Sequence, residues 1–364
     1  MPLEFYEETL LRRAMHHAAG FLRQLPDRPV GPRATREELM RALAVPLTEE
    51  GDDDIAVLDA LASAAERGTM ATAGPRFFGF VIGGSLPVTV ATDWMVSAWD
   101  QNTGIYVASP LASVIEDVAR EWLLDILQLP RESGLGFTTG GQMSNFTCLA
   151  AARHGVLRAA GWNVEQDGLQ GAPKVNVVVS AESHITIDVS LRYLGLGANS
   201  IHVPADEEGR MRAGELRETL RRLSGPTIVC AQAGNINTGA FDPLRDIADA
   251  TREHGAWLHV DGAFGLWAAA SRRKRPLVDG LELANSWATD AHKWLNVPYD
   301  CGIAIVRDSA AHRASMTSHA AYLEQTVGQE RDNFDWAPEF SRRGRGFAVY
   351  SALRTLGRLG VEDL

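Results

Sequence analysis

Cysteine is scarce in this chain: among 364 residues there are three, Cys148, Cys230 and Cys301, with no CxxC pair. That excludes a disulfide framework and a cysteine-built zinc site, and leaves each thiol as a small core residue in an apolar setting. Positive charge is in deficit too. The formal net charge of −11 has the wrong sign for a surface that neutralises nucleic-acid phosphates. No uninterrupted apolar run approaches the roughly 20 residues of a membrane span. Glu4, Glu7 and Glu8 stand where a secretory leader carries positive charge, so the expected compartment is the cytoplasm. There is no Walker A loop, no GxGxxG fingerprint, no internal repeat and no low-complexity tract, which removes the commonest nucleotide-binding readings. Of two basic clusters, Arg272 to Arg275 reads as a solvated loop; the other is Arg342 and Arg343 with Arg345.

What the chain does have is the profile of a globular protein, with 45% hydrophobic and 22% charged residues and length for one large domain with or without a smaller companion. Residues 3–25 carry Leu3, Leu10, Leu11, Met15 and Phe21 near helical spacing and end at Pro26, predicting an amphipathic helix. The adjacent His16 and His17 point to different faces of that helix and cannot share a metal. Further helices are expected over 36–44 and over 55–67, the latter capped from the Asp52–Asp54 run. From residue 175 onward strand-like runs at 175–180, 201–203, 227–231, 257–260, 286–289 and 302–306 alternate with helical runs at 185–194, 213–223 and 243–254. Such alternation predicts an α/β fold with a mostly parallel sheet sheathed on both faces.

Two of those strands end in chemistry. LHV delivers Asp261, and SWAT leads through Asp290 to His292 and Lys293. The carboxyl edge of a parallel sheet is where open α/β folds bind ligands. An acid and a lysine, each following its own strand, suit pyridoxal phosphate chemistry: the lysine holds the aldehyde as an imine, and the carboxylate keeps the pyridine nitrogen charged. To attack, Lys293 must be neutral, which means lowering an amine pKa of about 10.4. Upstream, GFTTGGQMSNF is a glycine-rich turn opening a helix, whose N–H groups and dipole suit a phosphate. By itself that turn is no more than a helix N-terminus. His184 by itself is a capping or surface residue, and Asp261 by itself is also compatible with a helix cap.

The strings HVDGAFG and TDAHKWLN resemble the group II pyridoxal-dependent decarboxylases, which include the aromatic amino acid and glutamate decarboxylases. The resemblance covers roughly residues 70–364. It implies the large domain of the aminotransferase type I fold, a mostly parallel seven-stranded sheet flanked by helices, with pyridoxal 5'-phosphate as cofactor and no metal. Carried over position by position, it puts the phosphate at Gly140, Gly141 and Gln142, where relatives often have Ser or Thr in place of the glutamine. It stacks His184 on the cofactor ring, sets Asp261 against the ring nitrogen and places the small Ala263 beneath the ring. His292 then contacts phosphate or substrate, and Lys293 carries the cofactor. Asn235 stands where relatives have threonine beside the cofactor. The GPRFFGFVIGG stretch, on its residues alone a tight turn with two core phenylalanines, is implied to line the substrate pocket through Phe80, Val81 and Ile82. Ile105 and Tyr106 form a second wall, which in the family often comes from the partner subunit. A homodimer with shared active sites is therefore expected, its N-terminal helix packing across the dimer.

An apolar, roomy pocket without an arginine poised for a side-chain carboxylate favours an aromatic or bulky apolar L-amino acid, decarboxylated to its amine. The expected division is an N-terminal helical segment (1–70), a cofactor-binding large domain (71–310) and a catalytic-loop region opening a C-terminal part (311–364). The family continues into a small C-terminal domain, whereas this chain stops at Leu364, so that domain is expected to be missing. In the aromatic decarboxylases a loop tyrosine shortly before a DW pair protonates the carbanion. Around Trp336 this chain reads Asp332-Asn333-Phe334-Asp335, and Tyr322 lies in a YLE string resembling another position. Two alternatives follow: an aldehyde synthase, and a catalytically silent member acting as a binding or regulatory subunit.

Overall fold

The computed structural model describes residues 3–318 and 330–364, with side chains from residue 6 onward; Tyr322 lies outside the described residues. Two compact units divide the chain, Met1–Gly84 and Ser85–Leu364.

The N-terminal unit is helical: Leu3–Gln24, Arg36–Leu43 and Asp54–Gly68. Local chemistry sets the starts of the last two. Thr35 and Glu38 form a reciprocal capping box, and Asp53 accepts from the Ala56 N–H, each satisfying donors that a first turn leaves free. Asp59 receives Arg13 and His17 from the first helix. Neither of the two later helices buries a single residue within the unit, and Leu11, Met15, Val57 and Leu61 are exposed.

The second unit is built on a seven-stranded sheet: β1 (Gly134–Thr138), β2 (Asn176–Ser180), β3 (Ile201–Val203), β4 (Thr227–Gln232), β5 (Trp257–Asp261), β6 (Ser286–Asp290) and β7 (Gly302–Val306). The spatial order is β1-β7-β6-β5-β4-β2-β3. Strands β6, β5, β4, β2 and β3 run parallel, while β7 is antiparallel to both β6 and β1. Successive side chains alternate between two cores. Val177, Val179, Ile228 and Cys230 pack with the helices Gly141–Ala159 and Ile185–Tyr193. Val178, Val229, Leu258, Val260 and Trp287 pack against the other face, with Leu216, Leu220 and Ile247. Burial on both faces is why these strands read as continuous apolar runs. All three cysteines are free and buried.

Strand β1 is the element that sequence pattern missed. GLGFT reads as part of a turn because glycine is a poor strand former. A side chain at Gly136 would meet the Trp336 carbonyl at 1.8 Å, and one at Gly134 would meet the Trp336 ring at 2.4 Å. The glycines therefore admit the short helical turn Asn333–Trp336 directly onto the strand. Helices Pro87–Trp99, Ser309–Met316 and Gly346–Asp363 complete the unit, the last kinked at Gly357, whose φ is 59°. No described helix is long and apolar enough to cross a membrane.

Candidate active site

Register places the site. Asp261 ends β5 opposite Ala288 of β6, and two residues further on Asp290 stands just before the short helix Ala291–Trp294 that carries His292 and Lys293. Ala263 joins the two strand ends: its N–H donates to Asp261 Oδ1 (3.1 Å), and its carbonyl accepts from the Asp290 N–H (2.9 Å). Lys293 Nζ lies 3.1 Å from Asp290 Oδ2, in a contact where the carboxylate is 3% exposed and the lysine 22%. Asp290 Oδ1 is buried, makes no hydrogen bond, and lies 3.5 Å from His292 Nε2.

His292 is held on its other side by the Cys301 N–H, which donates to Nδ1 at 3.0 Å, and by the Tyr299 ring at 4.2 Å. Burial pushes its pKa down, with the Lys293 charge adding to the effect and Asp290 opposing it. The glycine turn meets this same group of residues. A side chain added at Gly141 would lie 2.8 Å from Asp290 Oδ2, and one at Gly140 would lie 3.3 Å from the His292 ring. Gly140 has φ 156° and no side chain caps the helix it opens, so the first N–H groups of a 19-residue helix face outward at its positive end.

Asp261 is a buried carboxylate with a donor on each oxygen. Oδ2 accepts from Asn145 Nδ2 at 3.1 Å. Burial pushes its pKa up, while the Asn145 hydrogen bond and the nearby His184 and Lys293 charges pull it back. His184 opens the helix Ile185–Tyr193, its Nδ1 2.9 Å from Thr186 Oγ1 and accepting from the Thr186 N–H at 3.4 Å. The structure thus brings Gly140, Gly141, Asp261, Ala263, His184, His292 and Lys293 to one edge of the sheet. Gln142 joins them through its backbone, its carbonyl accepting from Ser190 Oγ at 3.2 Å.

Asn235 follows β4, but its Oδ1 accepts from the N–H groups of Asn237 and Thr238 at 2.8 and 3.2 Å. Half of its amide is therefore engaged in shaping its own turn. Ile105 and Tyr106 are half-buried and tied to the Trp336 segment, the Tyr106 N–H donating to Asp332 Oδ1 at 2.8 Å. Phe80, Val81 and Ile82 belong to the N-terminal unit. There Phe80 and Val81 have left-handed backbones (φ 57° and 53°), and Phe78 and Phe80 are 92% and 78% exposed rather than in the unit's core. The segment before Trp336 is engaged in packing: Asn333 donates to the Thr103 carbonyl, and Asp335 accepts from Arg313 and Thr317.

Sequence reasoning named neither Asn145, His259 nor Asp290 as site residues. An asparagine and a histidine inside apolar helical and strand runs carry no local signal; only the sheet places them behind Asp261. Asp290 did carry one, since it ends its strand three residues before the lysine.

A side-chain cradle of this kind fits a phosphorylated pyridine aldehyde. It offers an uncapped helix N-terminus behind glycines, an amine on the short helix after β6, and a buried carboxylate hydrogen-bonded by neutral donors. Comparison with known proteins points the same way. The family model described as pyridoxal-dependent decarboxylase conserved domain matches residues 37–364. The acidic amino acid decarboxylase of Bos taurus is 30% identical over 336 residues, covering 90% of this chain and 63% of that protein. The L-2,4-diaminobutyrate decarboxylase of Rhizobium meliloti is 34% identical over 292 residues, covering 76% of this chain and 56% of that protein. Among solved structures, Oryza sativa TDC with PLP and tryptamine matches at TM-score 0.91 with 25% identity, over 100% of this chain and 77% of that one. Mouse CSAD in apo form matches at TM-score 0.90 with 27% identity, over 99% and 76%. The chain therefore spans less than two thirds of the length of these curated relatives.

Proposed function

We propose that this chain, which belongs to the pyridoxal-dependent decarboxylase family, removes carbon dioxide from an L-amino acid to give the corresponding amine. The observation that carries this reading is the arrangement of Asp261 and Lys293 at the carboxyl ends of the adjacent parallel strands β5 and β6. When bound, pyridoxal phosphate supplies the ring that accepts the electron pair left on Cα as carbon dioxide departs. The rest falls to the chain's own residues. Lys293 would supply the amine that holds the cofactor. Gly140, Gly141 and Gln142 offer N–H groups to the phosphate, and His292 flanks it. Asp261 keeps a positive charge on the ring nitrogen, a charge-assisted contact worth roughly 1.5–3 kcal/mol. Ala263 would leave room for the ring on one side, and His184 would stack on it from the other, its Nδ1 held by Thr186.

The substrate side chain we favour is aromatic or bulky and apolar. Trp294 packs on Phe264 at 5.6 Å beside the lysine, and Tyr299 packs on His292, while Arg345 of the second basic cluster is paired with Asp300. The active unit is proposed to be a homodimer. Exposed apolar residues on the N-terminal helices, and Trp94, Met95, Leu111 and Val114 on helices of the second unit, are the kind of surface that a second copy covers. An aldehyde synthase is the second reading, favoured by one observation: the segment from Arg331 to Trp336 contains no tyrosine.

Borohydride reduction of the yellow protein tests the site. The chain has three lysines, Lys174, Lys274 and Lys293, so a single tryptic peptide should carry the cofactor mass, and labelling at either of the other two would discard the assignment. A panel of aromatic, acidic and diamino L-amino acids tests the reaction. Carbon dioxide with amine supports a decarboxylase; peroxide and aldehyde beside it support the synthase; no turnover by cofactor-loaded protein supports a silent member.

A further inference from the structure

Behind Asp261 lies a chain of buried polar groups with one self-consistent set of hydrogens. Trp257 Nε1 can only donate, and it donates to Ser286 Oγ at 2.9 Å. Ser286 Oγ lies 3.0 Å from His259 Nδ1, and His259 Nε2 lies 2.9 Å from Asn145 Oδ1. A carboxylate that can only accept closes the far end. With a donor at one end and an acceptor at the other, the hydroxyl must donate to Nδ1, Nε2–H must donate to the Asn145 carbonyl, and the Asn145 amide must face Asp261. His259 is fully buried, and burial pushes its pKa down to about 3, so the ring stays neutral and the direction does not reverse. The same Asn145 Nδ2 donates to Thr186 Oγ1 at 3.3 Å, the hydroxyl that meets His184 Nδ1.

We infer that Asn145 is a positioning residue that anchors both ring contacts at once, fixing Asp261 as an acceptor on one side and His184, through Thr186, on the other. This inference rests on the proposed function. Asn145 is 1% exposed and meets the cofactor only through these two residues. Its amide keeps Asp261 ionised against the pull of burial, so the carboxylate meets a pyridinium in the right charge state. The titratable groups around that carboxylate are His184 and Lys293, the buried thiols Cys148 and Cys230, and neutral His259 beyond Asn145.

Titration of the cofactor-free protein with pyridoxal phosphate, followed by visible absorbance, tests the idea on wild type, Asn145→Leu and Thr186→Val. Asn145→Leu keeps the volume and removes the donor to a charged acceptor, so binding at neutral pH should weaken by about tenfold or more. Losing that donor raises the Asp261 pKa further, so the ratio of variant to wild-type Kd should shrink as pH rises from about 6 to about 8.5. A merely structural role gives a ratio independent of pH, and that result overturns the inference. Thr186→Val, at a half-buried position, cuts only the His184 branch and should weaken binding about threefold; wild-type affinity there overturns the shared anchor even if the leucine variant fails to fold. Wild-type protein that never develops a cofactor band overturns the proposed function and this inference with it, whereas wild-type binding with both variants unchanged overturns the inference alone.

Discussion

Two buried carboxylates in the sheet unit face the same low-dielectric surroundings and are answered differently. Glu116, on the helix Pro110–Ile126, is 1% exposed and Asp261 is 5% exposed; burial pushes both upward in pKa. Glu116 is met by two cations. Arg342 hydrogen-bonds to it and donates to the Phe137 carbonyl of β1 at 2.5 Å, while Arg331 lies 3.7 Å away and stacks on Trp336 at 4.9 Å. Arg331 is so buried that its own pKa falls to about 10. Asp261 is met by an amide and a backbone N–H, both uncharged. The first arrangement neutralises its acid within the fold and ties the Arg331–Arg345 segment to β1. The second leaves its acid without a cation in hydrogen-bond contact, the arrangement expected where a cationic ligand is to complete a site.

The comparison can be broken in four places. Lys293→Ala should give the largest effect, a loss of more than about a thousandfold in carbon dioxide release together with the disappearance of the borohydride-fixed adduct. Asp261→Asn follows, with turnover down roughly a hundredfold or more. Its thermal unfolding without cofactor should hold steady or rise, because a desolvated charge has gone. Glu116→Gln should do the opposite. It leaves Arg342 buried without its counter-charge and Arg331 with only Asp117, 3.8 Å away, so denaturant unfolding should show a loss of about 3–5 kcal/mol while the folded fraction keeps its kcat. If Glu116→Gln instead spared stability and Asp261→Asn unfolded the protein, the two acids would have been assigned the wrong way round.

The smallest effect belongs to a third acid held by backbone alone. Asp242 accepts from the N–H groups of Met211 and Gln232, each at 2.7 Å, and burial pushes its pKa from 3.8 up to about 6. With the folded value above the unfolded one, its contribution to stability is complete below about 3.8 and is lost as pH rises through about 6. Asp242→Asn should therefore flatten the fall in stability across that window, as read by urea midpoints at a series of pH values.

How much of this was legible can be judged element by element. The parallel strands were visible because both faces are buried, which puts consecutive apolar residues at the centre of Asn176–Ser180 and around His259 in Trp257–Asp261. Asp261 and Lys293 were visible because each follows the end of such a run, and the Gly140–Gly141 turn because paired glycines open a helical stretch. Strand β1 was hidden, since its glycines answer to Trp336, at least two hundred residues away in sequence. Arg342 stood in a basic cluster to which the sequence assigned no role; only burial pairs it with Glu116. Asn145 and His259 gave no signal at all, because a hydrogen bond between a helix and a strand more than a hundred residues apart has no local pattern.

Pattern and residue chemistry in the sequence determined the alternating architecture, the ends of the strands, and which amine and acid stand there. Those are properties of neighbours along the chain, set by side-chain periodicity and the short reach of a cap or turn. Only the tertiary structure decided which polar groups stand behind that acid, which way their hydrogens point and which buried carboxylate keeps its charge unmatched. Such choices depend on distances across the sheet and on exclusion of water, and neither exists until the strands have come together.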